Sequence, residues 1–191
     1  LGYTQILKQE KHVTDQQQFG IEIIHRSGEH LLGMINDILD LAKIEARKME
    51  LEPSGFYFPI FLRTLVEMAR VRAEQKGLGL SCEMSPDLPK GIYGDEQRLR
   101  QVLLNLLNNA IKFTEEGGVF VRVTTQPEKT ANSKVSISFE VEDTGPGIAP
   151  EELDQLFEAF VQTSTGKKSQ EGTGLGLPIS RNFVELMGGE M

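Results

Sequence analysis

Three segments hold residues whose types and spacing suit one piece of chemistry. Asn105-Leu-Leu-Asn-Asn109-Ala-Ile-Lys112 offers carboxamide oxygens and an ammonium group. Asp143-Thr-Gly145-Pro-Gly147-Ile148 offers a carboxylate leading into a glycine turn, and Gly172-Thr173-Gly174-Leu175-Gly176-Leu177 offers glycine backbone. Carboxamide oxygens are hard, neutral ligands suited to Mg2+, which keeps several waters and takes its remaining ligands from phosphates. Lys112 can meet a phosphate as a point charge. A carboxylate at Asp143 accepts hydrogen bonds but cannot donate, which suits the exocyclic amine of adenine and excludes the guanine carbonyl. Gly145 and Gly147 let the backbone turn sharply and approach a planar ring. The main-chain amides of residues 172–176, at the start of a helix, make an anion site. Singly, these segments also read as a solvated stripe, an Asp-Gly turn and a hinge. In this order they supply a magnesium-nucleotide site.

These groups need elements to hold them. Gln101, Asn105, Asn109 and Lys112 fall at i, i+4, i+8 and i+11, one face of a helix. Val102, Leu103, Leu106, Leu107, Ala110 and Phe113 run opposite and dock it. Asparagine is a poor helix former because its side chain competes for backbone bonds, so Asn105, Asn108 and Asn109 together call for a reason. Asp95 is the expected N-cap, with the helix running to Thr114. Around it the pattern predicts a strand at 55–58, a helix from Ile60 to Gln75, and strands over 78–84, 119–125 and 135–142. A last helix is predicted over about 175–187. The glycine run is neither a dinucleotide fingerprint nor a Walker loop, since its spacing is GxGxG and no Lys-Ser or Lys-Thr follows.

Upstream, residues 1–8 read as the tail of a helix and 9–14 as a turn. From Asp15, the apolar residues Phe19, Ile23 or Ile24, Leu31, Ile35, Ile38 or Leu39, Leu41 or Ala42, and Ile44 recur at three and four residues. With no proline before Pro53, this helix spans roughly 35 residues, and its apolar stripe is expected to be completed by a second copy of the chain. Domains are accordingly placed at 1–50 (a partial helical hairpin), 51–58 (linker and first strand) and 59–191. The fold class is α+β, a two-layer α/β sandwich with helices on one face of a mixed, mostly antiparallel sheet, preceded by the long helix.

Composition narrows the partners. A formal charge of -8 in 191 residues argues against nucleic acid. No apolar run approaches the ~20 residues of a membrane helix, so no membrane contact is expected of these residues. The lone Cys82 forms no internal disulfide and reads as a small strand residue, pointing weakly to a cytoplasmic, reducing setting.

Over nearly all of 1–191 the chain resembles a sensor histidine kinase of the two-component type, often hybrid. The segments 105–112, 143–148 and 172–177 are similar to that family's N, G1 and G2 boxes, and Leu156-Phe-Glu-Ala-Phe160 to its F box. Leu31–Glu50 resembles the second helix of the dimerisation and phosphotransfer hairpin. The resemblance implies the Bergerat ATP-binding fold and the cofactors ATP and Mg2+. Asn105 and Asn109 would hold the metal, Lys112 the phosphates, Asp143 the adenine amine, and Gly145 and Gly147 the base. Gly172, Gly174 and Gly176, with Thr173 and Leu175, would cradle the phosphate tail. Residues 161–171 would be a lid whose start Phe157 and Phe160 anchor. Where some relatives carry a basic residue after the F box this chain has Gln162, with Lys167 or Lys168 as substitutes. The reaction implied is γ-phosphoryl transfer to a histidine, with Gln101 orienting the acceptor. A homodimer through the hairpin and a response regulator receiver domain are the implied partners.

His12, His25 and His30 lack the His-Glu-(Leu or Ile)-Arg-Thr-Pro neighbours of the family's acceptor, which is expected upstream of Leu1. A final glycine-containing hairpin of the ATP domain is likewise expected beyond Met191. Two other classes fit less well. An ATP hydrolase or clamp of the gyrase, Hsp90 and MutL kind would place a water-activating glutamate where Asn105 lies, and asparagine cannot accept that proton. A non-catalytic dimerisation module with a vestigial pocket would not require Asn109, Asp143 and the glycines.

Overall fold

The structure, a computed structural model, describes residues 1–8, 13–127, 135–162, 166 and 172–191. The chain divides into two compact units, Leu1–Met49 and Glu50–Met191.

In the first unit, α1 (Gly2–Lys8) packs on α2 (Asp15–Glu45). The long helix starts where the pattern begins because Thr14 and Gln17 form a reciprocal capping box. Thr14 Oγ1 accepts from the Gln17 amide at 3.3 Å, and the Thr14 amide donates to Gln17 Oε1 at 3.0 Å. It runs 31 residues, ending at Glu45 before a C-cap at Ala46. His25 packs within the hairpin, hydrogen-bonded to Thr4 Oγ1 at 2.8 Å and paired with Glu29 at 3.2 Å, while His30 is exposed. Phe19, Ile23, Ile24, Leu31, Leu32, Ile35, Ile38 and Leu39 stand exposed along α2. Asp40 is buried on the same helix, and burial, aided by the Asp40 charge, raises the pKa of Asp37.

In the second unit, β1 (Ser54–Tyr57) leads directly into α3 (Phe58–Gln75). That helix begins two residues before the predicted Ile60, because Pro59 falls in its first turn, where a missing N–H costs nothing. It closes at Gly77, φ +76°, with the Leu78 amide bonding back to the Ala73 carbonyl and the Gly77 amide to that of Glu74. Next come β2 (Gly79–Met84), β3 (Gly91–Gly94) and α4 (Glu96–Phe113), then β4 (Gly118–Pro127) and β5 (Val135–Asp143). A short α5 (Pro150–Leu153) and a final α6 (Gly176–Leu186) follow. Neither β3 nor α5 was expected. Gly-Ile-Tyr-Gly holds only two strand-forming residues, and α5 is a single turn begun by Pro150.

The sheet is mixed. β2 runs parallel to β4, β5 antiparallel to β4, and β1 and β3 form a separate antiparallel pair. Alternation along β4 sends Val119, Val121 and Val123 inward and Phe120 and Arg122 outward. Phe61, Leu62 and Leu65 of α3 and Leu103, Leu107 and Ile111 of α4 pack with those valines in one core, which Cys82 borders. The outward face is polar: Arg122 bridges Glu83 at 3.2 Å and Glu140 at 2.8 Å, exposed pairs worth little to stability. No helix among the described residues is long and apolar enough to cross a membrane.

Candidate functional site

Helix α4 is the spine of the site. Asp95 caps it as expected: Oδ1 accepts from the Arg98 amide at 2.9 Å. Its other oxygen accepts from the Glu52 amide at 2.9 Å, which ties the segment before β1 to the helix start. At the far end Lys76 Nζ, from the close of α3, donates to the Ile111 carbonyl at 2.8 Å and the Lys112 carbonyl at 2.5 Å. An ammonium among the last carbonyls suits the negative end of the helix.

The glycine segments meet this helix at separate points. A methyl built at Gly145 would lie 3.1 Å from the Phe113 carbonyl oxygen and 2.6 Å from Asp143 Oδ1. Gly145 therefore serves close approach, whereas Gly147, at φ +71°, serves the turn itself. Asp143 ends β5 with its carboxylate exposed, Oδ1 accepting from the Gly145 amide at 2.8 Å. Thr144 pins the turn to the start of β4: its hydroxyl donates to the Glu116 carbonyl at 2.8 Å and accepts from the Gly118 amide at 3.0 Å.

Residues 172–176 close over the other side of α4. A methyl at Gly172 would sit 3.2 Å from Lys112 Nζ, so the ammonium lies against that glycine. A methyl at Gly176 would run into Asn105 Oδ1 and lie 3.0 Å from its Cγ and Nδ2. Asn105 Nδ2 donates to Ser180 Oγ at 2.9 Å. Thr173 Oγ1 accepts from the Leu175 amide at 3.2 Å, shaping the entry to α6. The Leu175 side chain is buried, so only its main chain is available to a ligand. Gln101 Oε1 accepts from Arg98 Nη1 at 2.8 Å, and that guanidinium stacks over Phe183 of α6. Asn109 is half-buried one turn beyond Asn105, while Asn108 is bonded by Arg72.

The approach to residues 172–176 is clasped as well. The Phe160 amide donates to the Gly174 carbonyl at 3.1 Å, and Gln162 Nε2 to the Gly172 carbonyl at 2.7 Å. Phe160 itself adopts φ +66°, with its ring exposed, so its anchoring is made by main chain. Phe157 lies under the Arg181 guanidinium. Lys167, Lys168 and His12 lie outside the described residues, as does most of the expected lid.

Of the residues singled out in sequence, Asn105 and Lys112 of α4 thus meet Gly176 and Gly172, and the end of α4 meets Gly145 beside Asp143, whereas Gly174 packs against Phe160 and Val161. Ser180, Thr144, Lys76 and Arg98 were not foreseen. Ser180 and Asn105 are 75 positions apart, and a buried helix serine gives no local signal.

Two family descriptions match the chain: the His Kinase A (phospho-acceptor) domain over residues 1–47, and the histidine kinase-, DNA gyrase B- and HSP90-like ATPase over residues 94–191. Hybrid signal transduction histidine kinase B of Dictyostelium discoideum is 39% identical over 192 residues, covering 100% of this chain and 10% of that protein. The aerobic respiration control sensor protein ArcB of Escherichia coli (strain K12) is 38% identical over 193 residues, covering 100% of this chain and 24% of its own length. The chain thus spans a quarter or less of these relatives. Among solved structures, full-length ShkA in complex with AMPPNP matches at a TM-score of 0.74 and 38% identity, covering 98% of this chain and 37% of that one.

Proposed function

The chain belongs to the histidine kinase-, DNA gyrase B- and HSP90-like ATPase family, as a sensor histidine kinase, and from that premise we propose that it binds Mg2+-ATP and donates the γ-phosphoryl group to a histidine imidazole. The observation that carries this reading is the convergence on α4. Asn105 meets Gly176, Lys112 meets Gly172, and the end of the helix meets Gly145 beside Asp143. A ShkA complex holding the ATP analogue AMPPNP supports the nucleotide.

The donor set fits the metal: Asn105 and Asn109 offer neutral carboxamide oxygens, the hard ligands that suit Mg2+. Bound there with the nucleotide, Mg2+ supplies charge neutralisation at the phosphate oxygens. The chain's own groups do the rest. Asp143 accepts from the adenine amine, Gly145 and Gly147 leave room for the ring, and Lys112 meets the phosphates. Residues 172–176 present main-chain amides to the phosphate tail at the start of α6. In the transfer a phosphorus–nitrogen bond forms at the unprotonated imidazole nitrogen as the phosphorus–oxygen bond to ADP breaks. Positioning and charge neutralisation are the protein's contribution. Gln101, held by Arg98, orients the acceptor without titrating. The acceptor is a histidine other than His12, His25 and His30, whose neighbours do not match.

The exposed stripe on α2 is read as the surface a second copy covers, making a homodimer. A response regulator receiver domain takes the phosphoryl group onward. Titration with ATP and with GTP, each in Mg2+, tests the core of this reading. The chain is expected to prefer ATP, and Asp143→Asn to weaken ATP binding by at least tenfold; equal affinity for the two nucleotides refutes the base-edge role.

A further inference from the structure

We propose that Thr144 is a positioning residue for base recognition, pinning the turn that carries Asp143 to the stretch of chain that leaves α4. This rests on the Mg2+-ATP reading above and goes beyond it to what holds the base-edge carboxylate in place. Asp143 is the exposed last residue of β5. A carboxylate at an exposed strand end samples several rotamers unless its neighbours hold it.

The hold has two grips, both made by residues 113–118. Thr144 Oγ1 donates to the Glu116 carbonyl at 2.8 Å and accepts from the Gly118 amide at 3.0 Å, so it spans Gly117. The Thr144 amide adds a bond to the Gly118 carbonyl at 3.2 Å, one step past the Val119–Asp143 pair that ends the ladder. Gly117, at φ +97°, has no room for a side chain: a methyl there would run into Thr144 Oγ1 and lie 3.2 Å from its Cβ. On the other flank, a methyl on Gly145 would lie 3.1 Å from the Phe113 carbonyl oxygen, so that residue rests on the end of α4. The Gly145 amide in turn donates to Asp143 Oδ1 at 2.8 Å, which leaves Oδ2 as the oxygen to accept from a base. Asp143 is therefore placed from the same run of chain, 105–118, that bears Asn105, Asn109 and Lys112. One stretch measures both ends of a nucleotide, and Thr144 is its side-chain link to the base end.

The test compares ATP with GTP, and Mg2+ with EDTA, for the whole chain by calorimetry. Wild type is expected to prefer ATP. In Thr144→Val that preference is expected to fall about fivefold. The gain that Mg2+ adds to ATP affinity is expected to stay as in wild type, because Asn105, Asn109 and Lys112 keep their places on α4. Thr144→Ala, which removes the hydroxyl without adding bulk, is expected to act alike, and Thr144→Ser, which keeps it, to restore the preference. Without nucleotide, the Gly145 amide is expected to exchange with water about tenfold faster in Thr144→Val. The Arg98 amide, at the far end of α4, is expected to be unchanged. An unchanged ATP preference, weakening of ATP and GTP by one factor, or a rise in exchange shared by Gly145 and Arg98 makes Thr144 a residue of general stability and overturns the proposal. A wild-type chain that binds the two nucleotides equally refutes the base-edge reading itself, and this proposal with it.

Discussion

Gly174→Ala separates two costs that a glycine can conceal. At φ +71° an L-residue pays about 1 kcal/mol of left-handed strain. A methyl there would also lie 2.8 Å from the Val161 carbonyl oxygen and 2.9 Å from the Phe160 carbonyl carbon. These are main-chain atoms next to the Phe160 amide, which donates to the Gly174 carbonyl, so they cannot swing aside as a side chain would. Overpacking of this kind adds about 1–3 kcal/mol. Gly77, at φ +76°, and Gly188, at φ +80°, share the first cost and escape the second, since nothing lies within 4 Å of a methyl at either. The expected losses are therefore about 1 kcal/mol for Gly77→Ala and Gly188→Ala, and about 2–4 kcal/mol for Gly174→Ala. Urea unfolding by far-UV circular dichroism measures them. The chain has no tryptophan, but Cys82 supplies a second probe confined to Glu50–Met191. Cys82 is half-buried and burial raises its thiol pKa against a smaller opposing effect of Arg70, so labelling is expected to quicken when that unit opens. ATP affinity is expected to drop at least tenfold in Gly174→Ala and to hold in Gly77→Ala. A Gly174→Ala chain no less stable than the other two refutes the close-packing account.

Gly176→Ala is expected to leave stability within about 1 kcal/mol of wild type, helix propensity gained against a displaced Asn105. Its Mg2+-dependent ATP affinity is nevertheless expected to fall more than tenfold by calorimetry. Thr144→Val removes two hydrogen bonds from the turn after β5 and is expected to cost about 1–3 kcal/mol in urea unfolding. In Asp37, whose folded-state pKa is raised by burial and by Asp40, the folded chain holds its proton more tightly than the unfolded chain. Its favourable contribution is thus present in acid and lost as pH rises through the raised pKa. Asp37→Asn is expected to melt higher than wild type at neutral pH, with the gap closing toward pH ~4. Leu31→Asp combined with Ile35→Asp puts two charges on the exposed α2 stripe and is expected to yield monomers by sedimentation.

What the sequence disclosed was what local chemistry controls. Helix α4 could be read to within a residue because its cap, its 3.6-residue period and its polar stripe all lie inside one segment. The start of α2 was legible in the apolar spacing that begins at Asp15, whereas the Thr14 cap that sets it was not foreseen. Strand β3 escaped because its partner is β1, reached only through tertiary pairing. The parallel pairing of β2 with β4 was likewise hidden, since alternation reveals a strand's faces but not its neighbour. At the candidate site, residue types singled out Asn105, Lys112 and Asp143, while the groups that hold them in place were invisible. Ser180, Arg98 and Lys76 act through contacts across the fold. Glycines looked alike in sequence, yet Gly145 answers to a neighbouring carbonyl, Gly147 to its own dihedral angle, and Gly176 to a side chain.

Helix α4 carries core residues on one side and the candidate-site residues on the other, in a rigid register of about 100° per residue. Inserting or deleting a single residue in its middle would turn Leu107, Ala110 and Ile111 out of the core as it turned Lys112 out of the site. The two functions of that helix therefore cannot be lost separately by a shift of frame along its axis.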